Sequence, residues 1–214
     1  MKVLVIGATG GSGRAAVEAL VSAGHEVTAF SRRGETLGEG VIAKSGDATR
    51  EEDVRSAVAG QDAVVVTLGI RESALRVRLL GSAGTPMDVR SRGTRHVIAA
   101  MRAHGVKRLV VQTSFGVGET RGRLAAIDRA IFALLLRPQI ADTEVQEREV
   151  RASGLEWVLA QPVHLTDGSE TGAFASLEGE TRGRSVSRRA VGRFLAEAVE
   201  SPRYVGRSVA LSSE

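Results

Sequence analysis

Val3-Leu4-Val5-Ile6-Gly7-Ala8-Thr9-Gly10-Gly11-Ser12-Gly13 is the stretch on which the reading of this chain turns. Four apolar residues run without interruption, as in a strand buried on both faces. Glycines follow at positions 7, 10 and 13, and a helical pattern opens directly behind them. Glycines let the backbone turn sharply and let a phosphate approach the amides. The helix N-terminus then offers unpaired N–H groups and a favourable dipole. A glycine pattern alone is weak evidence, and its bland reading is a tight turn. Here it stands between strand and helix, the context that a dinucleotide pyrophosphate site requires. The spacing is GxxGxxG.

The alternation continues outward. Residues 27–30, 41–44, 63–67, 108–112 and 157–160 read as further strands. Residues 12–23, 51–59, 86–104, 142–153 and 188–200 read as helices. Thr85-Pro86 has the form of an N-cap followed by a first-turn proline. Gly24, Gly60, Gly105 and Gly154 each follow a helix, as C-terminal glycines do. Strand-helix alternation predicts an α/β fold, a doubly wound and mainly parallel Rossmann-type sheet. The 214 residues suit one domain over residues 1–214. Two stretches fit less well: a loop rich in Arg, Gly and Ser over residues 71–84, and a helical stripe of Leu124, Ile127, Ile131 and Leu135. The stripe reads as core, or else as a lid or subunit contact. Residues 165–214 read as polar and Gly-rich up to the last helix.

Composition narrows the function classes. There are no cysteines, which excludes disulfides, thiolate metal sites and cysteine nucleophiles. The net charge of +4 comes mostly from arginines scattered among carboxylates, and aromatic residues are 3%. Nucleic-acid binding is therefore not expected. No apolar run approaches the length of a membrane span, and the first apolar run stops at Gly7, so a cytoplasmic protein is expected. No histidine pair has metal-ligand spacing, and no catalytic metal is expected.

The end of the second strand bears on the cofactor. NAD-binding domains carry an acidic residue about 20 residues past the glycines, where it holds the ribose 2′-hydroxyl. This chain has Phe30-Ser31-Arg32-Arg33-Gly34 there, with no carboxylate. An arginine pairs with a 2′-phosphate through charge-assisted hydrogen bonds, so NADP(H) is expected over NAD. Asp47 closes the third strand and either reaches an adenine amino group or caps the next turn. Thr67-Leu68-Gly69 and Thr113-Ser114 end the fourth and fifth strands at the edge where such folds bind ligands. They also fit ordinary turns.

Together these residues resemble the atypical short-chain dehydrogenase/reductases, in particular NAD(P)H-binding proteins of the NmrA-like and flavin reductase (biliverdin reductase B) types. The resemblance is carried by Gly7 to Gly13, Val58-Ala59-Gly60-Gln61-Asp62-Ala63-Val64, Ile98 to Val106, Thr113-Ser114, Ser153-Gly154-Leu155, and Pro162-Val163-His164 followed by Thr171-Gly172. It implies pyrophosphate contacts at Thr9, Gly10, Gly11 and Ser12, within a loop bounded by Gly7 and Gly13. It implies a 2′-phosphate contact at Arg32, with Arg33 beside it, and an adenine flanked by Asp47 and Ala48. Leu68 and Gly69 would approach a ribose. Ser114, with Thr113 next to it, would lie by the nicotinamide, and Pro162 and His164 would border the active site. The chain departs from the family in its longer loop at residues 71–84, and in Glu147 where the family carries histidine.

Typical short-chain dehydrogenases use a Tyr-x-x-x-Lys pair for proton transfer. The only tyrosine here is Tyr204, residue 208 is Ser, and the lysines are Lys2, Lys44 and Lys107. Alcohol–ketone interconversion by that pair is excluded. A flavin or quinone takes hydride on a conjugated ring and a proton from water, so the absence agrees with the resemblance. The expected partner is a small-molecule acceptor, with Ser114 and His164 as the catalytic candidates. A redox-sensing protein without turnover and an epimerase are the other readings. His25, His96 and His104 read as structural or solvent-facing. His164 fits either a packing role or a substrate-side role.

Overall fold

The structure, a computed structural model, describes residues 1–70, 84–123 and 137–214. The apolar stripe at Leu124 to Leu135 and residues 71–83 lie outside the described residues. Among the described residues ten strands are formed: β1 (Lys2–Ile6), β2 (Glu26–Ser31), β3 (Val41–Ser45), β4 (Ala63–Val66), β5 (Arg108–Gln112), β6 (Glu156–Pro162), β7 (His164–Thr166), β8 (Phe174–Ser176), β9 (Ser185–Ser187) and β10 (Arg207–Ser212). Five α-helices are described: α1 (Gly11–Ser22), α2 (Glu51–Val58), α3 (Val89–His104), α4 (Arg137–Arg151) and α5 (Arg188–Glu200).

The main sheet has the order β3-β2-β1-β4-β5-β6-β10-β8. All its pairings are parallel except that of β8 with β10. The chain reverses its direction of travel across the sheet between β1 and β4, and a crevice opens at the carboxyl ends of the strands there. Pleating divides the apolar residues of each strand between two cores. Val3 and Val5 of β1 pack with α1 and α5, whereas Leu4 and Ile6 pack with α2 and α3. β4 is Ala63-Val64-Val65-Val66, buried throughout. Each such side chain removed from water contributes about 1.5–3 kcal/mol. This explains why these strands are continuous apolar runs.

The expected doubly wound α/β sheet is formed, and Gly24, Gly60, Gly105 and Gly154 all take positive φ, between 68° and 82°. Two expectations are corrected. Helix α3 starts at Val89 with Asp88 at its N-cap, not at Thr85-Pro86. Asp88 makes no side-chain cap. The first-turn amides of Arg90 and Ser91 donate instead to Asp142 of α4, at 3.0 and 3.1 Å. A carboxylate from another helix thus replaces the local cap, and Pro86 belongs to the preceding turn. The second correction concerns the tail, which contributes β7, β8, β9 and β10 as well as α5. Strand β10 is inserted between β6 and β8 with Val209, Ala210 and Leu211 fully buried. Among the described residues no helix is long and apolar enough to cross a membrane.

Candidate functional site

The glycine loop has the geometry of an anion cradle. Gly7 takes φ +85°, and a Cβ there would stand 2.8 Å from the carbonyl oxygen of Thr67. The amides of Gly7 and Ala8 donate to Phe30 O, and Gly10 N donates to Gly7 O at 3.0 Å. Helix α1 begins with extended Gly10 at its N-cap and no side-chain cap. The first helical bond runs from Arg14 N to Gly10 O at 2.8 Å. The amides of Gly11, Ser12 and Gly13 therefore find no backbone acceptor, which suits an incoming pyrophosphate. Gly13 has a different task. A Cβ on it would be driven into the carbonyl oxygen of Gly7, so it permits helix and turn to close on one another.

The loop forms one wall of a cleft of about 890 Å³ along the carboxyl edge of the sheet. Gly7, Thr9, Gly10, Gly11 and Ser12 line it, as do Arg32 and Arg33 after β2, Asp47 and Ala48 after β3, and Leu68 and Gly69 after β4. Arg32 Nη1 donates to Gly84 O at 2.5 Å, which brings the far rim against the end of β2. Arg33 is engaged by Glu35, 2.5 Å away, and Glu35 also meets Arg14 at 2.7 Å. Asp47 Oδ1 accepts from the amide and the hydroxyl of Thr49, at 2.9 and 2.8 Å. Burial pushes the Asp47 carboxyl up, but the Thr49 hydrogen bonds and the charges of Arg32 and Arg50 outweigh it and hold the group below its ordinary value. Asp47 thus caps a turn and faces the cleft at once.

Gly13, Thr113, Ser114, Pro162 and His164 do not line the cleft. Strand alternation accounts for Thr113 and His164. Gln112 and Leu165 point into the cleft, and their chain neighbours Thr113 and His164 point elsewhere. Thr113 is buried and donates to Glu147 Oε1 at 2.6 Å. Glu147, 1% exposed, also accepts from Gln161 Nε2 at 2.8 Å and from Arg151 Nη1 at 2.9 Å. Ser114 is half-buried beside this cluster, its hydroxyl 3.2 Å from Phe115 O. Pro162 is buried at the end of β6, and His164 is exposed at the start of β7.

Two cleft arginines were not anticipated from the sequence. Arg188 opens α5, and its Nη1 pairs with Asp167 at 2.6 Å. Its Cδ stands 2.6 Å from the position a Cβ on Gly11 would take, so the side chain lies directly over the phosphate loop. Arg90, in the first turn of α3, lines the opposite wall. The arginine pair at 188–189 was visible in the sequence. Its contact with residue 11 joins opposite ends of the chain and leaves no local signal.

Tyr204 lies in the turn before β10, at the edge of the sheet away from the cleft. It packs on Phe194 with ring centroids 5.0 Å apart, and its hydroxyl donates to Glu197 at 3.0 Å. It has no role at the cleft.

The sequence profile of the NAD(P)H-binding family matches residues 7–202, from the glycine loop through α5. The chain belongs to the NAD(P)H-binding family. Over 114 residues it is 39% identical to a 2-alkyl-3-oxoalkanoate reductase of Stenotrophomonas maltophilia, a match spanning 51% of this chain and 32% of that protein. Over 114 residues it is 38% identical to a 3-diazoavenalumate denitrifying reductase of a Streptomyces species, across 53% of this chain and 38% of that protein. The chain thus spans about a third of the length of these curated relatives. Among solved structures, ChuY, an anaerobillin reductase from Escherichia coli O157:H7, superposes with TM-score 0.79 at 22% identity, covering 100% of this chain and 97% of ChuY. A short-chain dehydrogenase/reductase from Veillonella parvula in complex with NADP superposes with TM-score 0.79 at 16% identity, covering 99% and 94%. These likenesses establish the fold. NAD(P)H is the cofactor of the family, and the uncapped amides of residues 11–13 fit its pyrophosphate.

Proposed function

We propose that the protein is an NADPH-dependent reductase that passes hydride to a flavin, a quinone or a related conjugated acceptor. The observation that carries this is a dinucleotide cleft with Arg32 where an NAD-specific site has a carboxylate, in a chain without the Tyr-Lys proton-transfer pair. Two curated relatives are reductases, which supports the reaction class. The closeness to flavin reductases of the biliverdin reductase B type, and the reading of residues 1–214 as one domain, belong to the same proposal.

Reduced nicotinamide, when bound, supplies two electrons and one proton as hydride. The amides of Gly11, Ser12 and Gly13 fix the pyrophosphate, while Thr9 and Ser12 line its seat. Arg188 covers the loop from above and adds positive charge. Arg32 takes the 2′-phosphate with Arg33 beside it, and Asp47 and Ala48 border the adenine. Leu68 and Gly69 would approach a ribose. Gln112 and Leu165 face the reacting end. Ser114 is assigned to the nicotinamide side and His164 to the acceptor side. Their side chains stand outside the cleft wall, so their influence comes through the strand ends that they fix. The remaining proton comes from water, and no buried acid is required of the protein.

The test is NADPH oxidation with a panel of FMN, FAD and quinones, followed by absorbance. Turnover of at least one acceptor, faster with NADPH than with NADH, is expected. Tight NADPH binding with no turnover of any acceptor would overturn the reductase and favour a redox sensor.

A further inference from the structure

Arg90 presents a guanidinium whose hydrogen-bonding capacity the described residues do not fill. Its Nη1 is sealed from solvent and finds no hydrogen-bond partner among the described residues. Its Nη2 lies 3.3 Å from the point where a Cβ on Gly69 would stand, so the glycine makes room for the guanidinium at the cleft wall. Asp142 is the carboxylate whose charge acts on it. That carboxylate is already taken up by the amides of Arg90 and Ser91 and by the Ser91 hydroxyl, at 3.0, 3.1 and 2.5 Å. Burial lowers the Arg90 pKa and the charge of Asp142 only partly restores it. A guanidinium stays protonated in proteins, so the cost of its desolvation is unrecovered until an anion arrives.

The phosphates of the cofactor already have partners elsewhere. On the proposed reading the loop amides and Arg188 would meet the pyrophosphate, and Arg32 the 2′-phosphate. Arg90 stands on the other wall, with the β4 end and Val89 around it. We infer that Arg90 binds an oxyanion carried by the acceptor, a phosphate or a carboxylate, and so selects acidic acceptors over neutral ones. Planar guanidinium forks hold such groups bidentately.

This rests on the reductase reading for the word acceptor, but its test reads binding and not turnover. The protein saturated with NADP⁺ is titrated with FMN and with riboflavin, which share one ring system and differ by the phosphate. A second pair is anthraquinone-2-carboxylate and its methyl ester. The acidic member of at least one pair should bind tenfold or more tightly, and the pair concerned identifies the oxyanion. Arg90→Met should collapse that ratio to near one, with the dissociation constant of NADP⁺ moved less than twofold. Arg90→Lys, which keeps the charge, should recover part of the ratio and control for folding. Equal binding within both pairs by the unmodified protein overturns the inference. So does an Arg90→Met variant that loses NADP⁺ affinity while keeping the ratio, since Arg90 would then serve the cofactor. Absence of turnover with every acceptor would sink the reductase and leave these binding ratios readable.

Discussion

Thr113 donates a 2.6 Å hydrogen bond to Glu147, and this buried bond ties the end of β5 to helix α4. The same carboxylate accepts from Gln161 and Arg151. Glu147→Ala would strand the buried Thr113 hydroxyl and remove one acceptor each from Gln161, which keeps Val117 O, and from Arg151, which keeps Ser208. Breaking a buried pair costs about 3–5 kcal/mol, and the low end applies because Arg151 reaches water. Urea unfolding should record the loss. Glu147→Gln, which keeps the shape and an acceptor oxygen, should lose about half as much.

Arg32→Ala should weaken NADPH about tenfold or more and leave NADH within twofold. The basis is a charge-assisted contact of about 1.5–3 kcal/mol. Titration calorimetry with both cofactors decides, and an equal loss for the two would refute the 2′-phosphate assignment.

Two glycines of one loop should fail in different ways. A Cβ on Gly10 meets only Gly7 O, at 3.3 Å, and Gly10 has an ordinary φ of −71°. Gly10→Val should therefore fold and lose the dinucleotide, because the new side chain fills the pyrophosphate space. Gly13→Val should lose stability, by about 2 kcal/mol or more, because its Cβ drives into the Gly7 carbonyl. Thermal melts paired with NADPH titrations separate the two. A Gly10→Val protein with undiminished affinity would remove the loop from the site.

Tyr204 makes a prediction in pH. Burial raises its pKa above the usual value near 10, and Glu197 raises it further through the hydrogen bond and its charge, against a smaller opposing pull from Arg203. A raised pKa means that the folded state holds the proton more tightly. The stabilisation is complete below pH ~10 and is lost as pH rises above it. Tyr204→Phe should be about 1 kcal/mol less stable at pH 7 and show a shallower decline between pH 9 and 11. Parallel curves for the two proteins would contradict this.

Much of the fold could be read from local pattern. The central strands β1 and β4 carry uninterrupted apolar runs because both faces of the sheet are covered there, and that pattern survives in sequence, whereas the edge strand β3 is largely exposed. The glycine loop was legible because strand, turn and helix are contiguous. β10 escaped notice because its buried residues, Val209 to Leu211, are a three-residue core between serines. The start of α3 was misjudged because its cap, Asp142, comes from another helix. Of the cleft, the lining by the glycine loop, by Arg32 and by the turn after β3 was legible in the sequence. The rest was not. Arg188 and Arg90 reach the cleft through tertiary contacts, and strand pleat put Gln112 and Leu165 in the cleft instead of Thr113 and His164.

Helix α4 engages its surroundings at two heights. Asp142 closes the first turn of α3, and five residues later Glu147 grips the end of β5. That interval is about 7.5 Å of rise and nearly one and a half turns. A rod notched twice can neither slide nor roll without releasing one of its notches. Inserting a single residue between them would swing Glu147 round by about 100° and withdraw it from Thr113. The cleft wall at Arg90 and the strand end at Thr113 thus share one ruler, and a change in its length would be felt at both.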